Sequence, residues 1–332
     1  MRVGLYLDLR NPPEWQRPWS QFYETVLDRI ARSEALGIGS IWLTEHHFFE
    51  DGYLPQPMTF AAAIAARTQR MRIGSAVIVA GLRPAIDIAE QAAIVDILSG
   101  GRLELGLGAG YRAREFSAFG ADIGSRYPLL EARAAEIRQL WSEGRTTPPP
   151  VQQRPPIWIG GRGPRAARIA GRLGEGLLWL GSELFEVYRD ALQAAGHPVE
   201  SARLAGLANL ILADDPESAW ARIKPHLAYQ WASYARYGAE DGDVKSAAVA
   251  QISREFDAQQ LRSRGPAMSP PNFDVTTPGE AAARLRAWLG TLPVTDVFFW
   301  DSIAGMPDEL VERHIELLAT ELAPAVAGLG LG

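Results

Sequence analysis

The sequence predicts a (β/α)8 TIM barrel, and three observations carry that reading. Eight short runs rich in β-branched and aromatic residues recur along the chain. Longer amphipathic stretches separate them, and strand–helix alternation implies a parallel sheet. At 332 residues the chain exceeds the usual barrel of about 250 by about 80, which fits a single domain, 1–332, carrying insertions.

The elements follow in order. Residues 2–8 read as the first strand. Residues 21–36 read as a helix, with Phe22, Val26, Leu27 and Ile30 at helical spacing and Gly37 as its stop. A short buried strand is expected at 40–43, an alanine-rich helix at 57–69, a strand at 71–79 and a helix at 85–98 closed by Gly100 and Gly101. Then come a strand at 103–107, a long loop over 113–126 and a helix at 129–141. A proline-rich connector at 147–156 leads to a strand at 157–159 and a helix that Pro164 starts. The pattern repeats with strands at 176–180 and 203–212 and helices at 183–195 and 216–237, the last continuing over 244–262. A strand at 294–300 and a helix at 307–322 close the chain. The largest insertion falls between the seventh and eighth strands. Within it, 263–274 is rich in Gly, Pro and Ser and is a candidate lid over the barrel mouth.

Composition removes several classes of function. The net charge is −6 and no basic block is present, which argues against nucleic acid or an anionic membrane as partner. Cysteine is absent, so thiolate nucleophiles, disulfides and cysteine metal sites are excluded. The N-terminus begins as a strand and lacks the pattern of a signal peptide, and no apolar run is long enough for a membrane span. The expectation is a soluble, cytoplasmic, globular protein.

In such barrels the reacting groups follow the carboxyl ends of the strands. After the second strand stands Thr44-Glu45-His46-His47-Phe48, with two of the five histidines. His46 and His47 are candidate proton carriers; the alternatives are a hydrogen-bonded loop histidine or, less well supported by the spacing, a metal ligand. After the fourth strand, Gly106-Leu107-Gly108-Ala109-Gly110-Tyr111 lets the backbone approach a flat or phosphorylated ligand. It lacks the offset glycine, immediate helix and acidic residue of a dinucleotide fingerprint. After the fifth strand, Gly160-Gly161-Arg162-Gly163-Pro164-Arg165 joins a helix N-terminus to two arginines, a ready anion site. Phe48, Phe49, Tyr53 and residues 58–60 could form an apolar pocket or pack as a loop.

Taken together these segments resemble the bacterial luciferase-like family of flavin-dependent oxidoreductases. The matching text is IWLTEHHF at 41–48, MRIGSAVIV at 71–79, AEQAAIVDILSGGRLELGLGAGY at 89–111, EFSAFGADIGSR at 115–126 and PPIWIGGRGPRAARIAGRLGEGLL at 155–178. The resemblance implies a barrel binding reduced FMN or a deazaflavin coenzyme. It implies proton transfer at His46, with His47 close by. It also implies a non-proline cis peptide at Ala76–Val77 beneath the isoalloxazine ring, and a phosphate site at Arg126, Gly161, Arg162 and Arg165. Gly160 belongs to the same loop, and Gly108, Ala109, Gly110 and Tyr111 to the flavin side. Two departures stand out. Ala109 replaces a phosphate-contacting arginine and Gly108 replaces a cysteine, and Arg162 and Arg165 would supply the charge lost at Ala109.

The function implied is an FMN-dependent monooxygenase. It would take reduced FMN from a separate flavin reductase and use dioxygen to oxidise a small organic substrate, as a homodimer. The alternatives are a deazaflavin-dependent dehydrogenase, a non-catalytic flavin-binding subunit, and a barrel enzyme acting on a sugar phosphate.

Overall fold

A computed structural model describes residues 1–240, 262–263 and 272–330. Strands β1 (Arg2–Leu7), β2 (Ser40–Leu43), β3 (Arg72–Ser75), β4 (Ile78–Val79), β5 (Leu103–Gly108), β6 (Ile157–Gly160), β7 (Gly176–Leu178), β8 (Leu204–Leu207) and β11 (Val294–Trp300) form one parallel sheet. The order runs β3-β2-β1-β11-β8-β7-β6-β5-β4, and the additional β3–β5 pairing closes it into a barrel. Counting β3 and β4 as one interrupted strand, eight strands line the barrel, as the sequence predicts.

The intervening helices are α1 (Trp19–Leu36), α2 (Pro57–Arg67), α3 (Ala85–Ser99), α4 (Ala113–Ala118), α5 (Arg126–Ser142), α6 (Pro164–Leu173), α7 (Ser182–Ala194), α8 (Pro216–Glu240), α9 (Pro278–Leu289) and α10 (Asp308–Leu317). Helix α1 shows how they seat. Val26, Ile30 and Ser33 recur at helical spacing and are buried, and Gly37, in the left-handed region at φ 108°, lets the chain turn back.

Leu5 and Leu7 of β1 join the large core between strands and helices. Tyr6, between them, points the other way and packs with Trp42, Trp158, Leu178, Ala205 and Phe298 inside the barrel. This interior plug is solid, so any ligand must sit above it at the C-terminal mouth.

Three expectations are corrected. The strand expected at 71–79 is two strands, because the chain breaks its pairing at Ala76 and Val77. The strand expected at 203–212 is also two: β9 (Leu210–Leu212) leaves the barrel and pairs in parallel with β10 (Asp274–Thr276), an element the sequence reading missed. Asn209 makes that departure possible, since its Oδ1 accepts from Trp300 Nε1 at 2.6 Å and its amide binds the Asn272 carbonyl. His314 fixes the result. Its Nδ1 accepts from Leu212 N at 2.8 Å, and its Nε2 donates to Trp300 O at 3.0 Å. Finally, the loop expected over 113–126 holds helix α4 and a short 3-10 turn at Ile123–Ser125. The expected helix at 244–262 and the candidate lid at 263–274 fall mainly on residues outside the described ones.

Candidate active site

The floor of the mouth is a shelf at Ala76 and Val77, joined by a cis peptide bond, the position the resemblance implies. Both residues are partly exposed, while Ser75 and Ile78 on either side are buried. Tyr6 reaches up from the barrel interior, and its hydroxyl donates to Ala76 O at 3.2 Å. The Val77 side chain fills the space that side chains at Gly108 and Gly160 would need. A Cβ at Gly108 would lie 2.3 Å from Val77 Cγ2, and one at Gly160 would lie 2.4 Å from Val77 Cγ1. These glycines therefore shape the shelf from beneath, which differs from the direct ligand approach expected of Gly108 and Gly160. Gly161 likewise makes room for Ala166 of α6.

The two histidines divide. His46 projects into an aromatic cage, with ring centroids of Tyr53 at 4.8 Å, Tyr111 at 5.2 Å, Phe49 at 5.3 Å and Tyr234 at 6.3 Å. Its Nδ1 lies 2.9 Å from Glu115 Oε1, and its Nε2 lies 3.1 Å from the Tyr111 hydroxyl. Burial pushes the Glu115 carboxyl up, but the bond to His46, its charge, the His47 amide and Arg112 hold it below the usual carboxylate range. An ionised Glu115 accepts from Nδ1–H, which leaves the Nε2 lone pair turned toward the mouth. Burial, then the Glu115 charge, pushes the Tyr111 hydroxyl up to about 12, so it remains a donor to Nε2. Tyr111 as a whole residue is exposed, while its hydroxyl end is buried against His46 Nε2; Gly110, at φ 71°, makes the turn before it.

His47 faces the opposite way. Its Nε2 lies 3.2 Å from Glu45 Oε1, and its ring packs on Phe119 at 4.8 Å. The same Glu45 carboxylate takes Arg83 NH1 at 2.5 Å and the Val79 backbone N–H at 2.6 Å. His47 thus belongs to the network that ties the loop after β2 to the strand beyond the shelf. Its backbone still serves the site, because His47 N donates to Glu115 Oε1 at 2.9 Å.

At the other end of the shelf the structure gathers the anion-site residues. Arg126 and Arg165 lie over the Tyr127 ring, at 5.1 and 5.4 Å from its centroid. Arg162 lies within electrostatic reach of Tyr6 and Tyr111, nearer the centre of the mouth. None of these three arginines pairs with a carboxylate among the described residues. At Gly163, just before the first turn of α6, a side chain would meet nothing within 4 Å. Three guanidinium groups without a carboxylate partner among the described residues, of which Arg126 also donates to Ile123 O at 3.0 Å, suit the phosphate of a flavin nucleotide, and the Ala76–Val77 shelf suits its flat ring. Ala109 and Gly110 line the turn between the two ends; Ala109 is buried. The residues present therefore fit the implied cofactor. No group of acidic or histidine side chains among the described residues could hold a metal ion.

Several site residues escaped the sequence reading. Glu115 lies 69 positions from His46, and only the fold brings them together. Its signal was a glutamate following arginines at the end of the glycine-rich segment. Tyr234 joins the cage from α8. The apolar pocket expected from the loop after β2 is only partly formed. Phe49 and Tyr53 enter the cage, whereas Met58 and Phe60 belong to the core between strands and helices. Phe48, at φ 64°, is turned outward and exposed.

The model of the luciferase-like monooxygenase family matches residues 1–294. The chain belongs to that family. Among its relatives is the oxygenase component of flavin-dependent trigonelline monooxygenase of Acinetobacter baylyi, 25% identical over 98% of this chain and 95% of that one. The F420-dependent glucose-6-phosphate dehydrogenase of Intrasporangium calvum is also 25% identical, over 95% of this chain and 98% of its own. The crystal structure of the monooxygenase RslO1 of Streptomyces bottropensis superposes with a TM-score of 0.74 and 25% identity, covering 98% of this chain and 99% of that one. This luciferase-like chain therefore has full-length relatives in both the flavin-dependent and the F420-dependent branches.

Proposed function

We propose that the chain is the oxygenase component of a two-component monooxygenase. It would use reduced FMN, supplied by a separate flavin reductase, and dioxygen to place one oxygen atom on a small, mostly apolar organic molecule. The observation that carries this reading is His46, bonded to Glu115 within an aromatic cage. Bound reduced FMN supplies the electrons that activate dioxygen.

The protein's own contribution is positional and protonic. Arg126, Arg162 and Arg165 would hold the phosphate, and Ala76 and Val77 would support the ring. Glu115, accepting from Nδ1–H, keeps His46 in the tautomer whose Nε2, bonded to the Tyr111 hydroxyl, can take or return a proton. Phe49, Tyr53, Tyr111 and Tyr234 exclude water from that atom. The full-length similarity to an oxygenase component supports the two-component arrangement.

The second reading is hydride transfer with a deazaflavin coenzyme, and the similarity to the F420-dependent dehydrogenase favours it. Turnover under 18O-labelled dioxygen separates the two. Labelled oxygen in the product, with reduced FMN and a reductase present, supports the monooxygenase. Oxidation without label, dependent on F420, replaces it by the dehydrogenase.

Homodimer formation and a cytoplasmic setting belong to the same proposal. Ile86, Ile94 and Leu98 lie along one face of α3 and are exposed, a stripe suited to pairing. Light scattering should show a dimer that Ile94→Glu dissociates. A monomeric wild type would remove that part of the reading.

A further inference from the structure

Above Tyr6, at the mouth end of β1, stands Asp8. Tyr6 faces the barrel interior, and the alternation of side chains along an extended chain puts Asp8 on the same face two residues on. Asp8 is 2% exposed, and its Oδ2 has no hydrogen-bond partner among the described residues. Such an atom is costly to bury unless something answers it.

The surrounding charges explain why nothing among the described residues does. Arg10 Nε binds Asp51 Oδ2 at 2.7 Å, with both side chains fully buried, and Arg29 binds Asp301 at 2.8 Å. Two arginines thus serve two carboxylates, and Asp8, beside them, is the third. Arg10 is further committed to the Ser233 hydroxyl of α8 and lies 5.3 and 5.1 Å from the Tyr53 and Tyr234 ring centroids. A third buried carboxyl with no cation of its own is most stable as the neutral acid. Burial, offset by Arg10 but reinforced by Asp301 and Asp51, pushes Asp8 up to about 8. The other groups that face it are the hydroxyls of Tyr6, Tyr53 and Tyr234. Tyr6 is bonded to Ala76 O, and Tyr234 donates to Tyr53 at 3.1 Å.

We propose that Asp8 is a substrate-binding residue that donates a hydrogen bond from its carboxyl group to an uncharged oxygen acceptor, a carbonyl, on a planar organic substrate held among Phe49, Tyr53 and Tyr234. The site would accept an aryl ketone and disfavour the carboxylate of the same shape, whose negative charge would be buried beside Asp51 and Asp301. This inference rests on the proposed organic substrate and names its class.

The test is equilibrium dialysis with 2-acetonaphthone and 2-naphthoate as probes, without cofactor, so that it does not depend on turnover. At neutral pH the ketone should bind the wild type at least about tenfold more tightly than the carboxylate, and Asp8→Ala should weaken the ketone about tenfold. Asp8→Asn, which keeps a donor, should retain it. Wild-type affinity for the ketone should fall as pH rises through about 8, because the donor is then lost, while Asp8→Asn should show no such fall. Thermal melts and reduced-FMN affinity close to wild type establish that the variants are folded. If Asp8→Ala fails to fold, the pH contrast between wild type and Asp8→Asn decides. Equal binding of the two probes, no ketone binding, or a flat wild-type pH profile would overturn the assignment. Ketone binding through Asp8 with no labelled oxygen in any product would instead sink the monooxygenase reading and leave Asp8 in place.

Discussion

Glu115 and His46 meet at 2.9 Å, Oε1 to Nδ1, across 69 positions of sequence. The same oxygen accepts from the His47 backbone N–H. One carboxylate thereby sets the imidazole's tautomer and the path of the loop that carries it.

Glu115→Gln should lower kcat by about tenfold or more while leaving reduced-FMN affinity nearly unchanged, because the glutamate acts through His46. His46→Ala should lower kcat further, by about 100-fold. Parallel loss of cofactor affinity, measured by fluorescence titration, would assign Glu115 a merely structural role.

Arg126→Ala and Arg165→Ala should each weaken reduced FMN by about tenfold. Riboflavin, which lacks the phosphate, should bind both variants as it binds wild type. Equal losses for the two flavins would place the phosphate elsewhere.

Gly108→Ala should destabilise the fold by about 1–3 kcal/mol, since the new methyl would lie 2.3 Å from Val77 Cγ2. Urea unfolding checks the magnitude. A neutral result would mean that Val77 can move aside and that the shelf is less closely packed than described.

His314 predicts an acid-sensitive joint between β9 and β11. Burial pushes its imidazole down to about 4, from an unfolded value of about 6.5. The unfolded chain therefore binds the proton first, so the contribution is full above about 6.5 and lost as pH falls toward 4, on the order of 3 kcal/mol for a fully buried group. Urea unfolding across that range should show the slope, and His314→Gln should remove it. An unchanged slope in the variant would transfer the effect to other groups.

The sequence by itself determined the barrel. Strand–helix alternation, helix stops such as Gly37, and apolar spacing are local signals, set by backbone sterics and by which face must leave water. It also placed His46 at a strand's carboxyl end and the arginines beside a helix start, because barrel topology converts strand ends into mouth positions. The tertiary structure decided what those residues touch. That His46 takes Glu115 while His47 takes Glu45 depends on α4, which the sequence reading took for a loop. That Gly108 and Gly160 yield to Val77 depends on neighbouring strands, and the exit of β9 from the barrel depends on Asn209 and His314 meeting partners about 90 to 100 positions away. The neutral Asp8 is the clearest case. Its sequence neighbours include Arg10, which suggests a salt bridge, yet the fold commits that arginine to Asp51. Contact partners and desolvation are long-range properties, and they settle the chemistry only once the chain has closed.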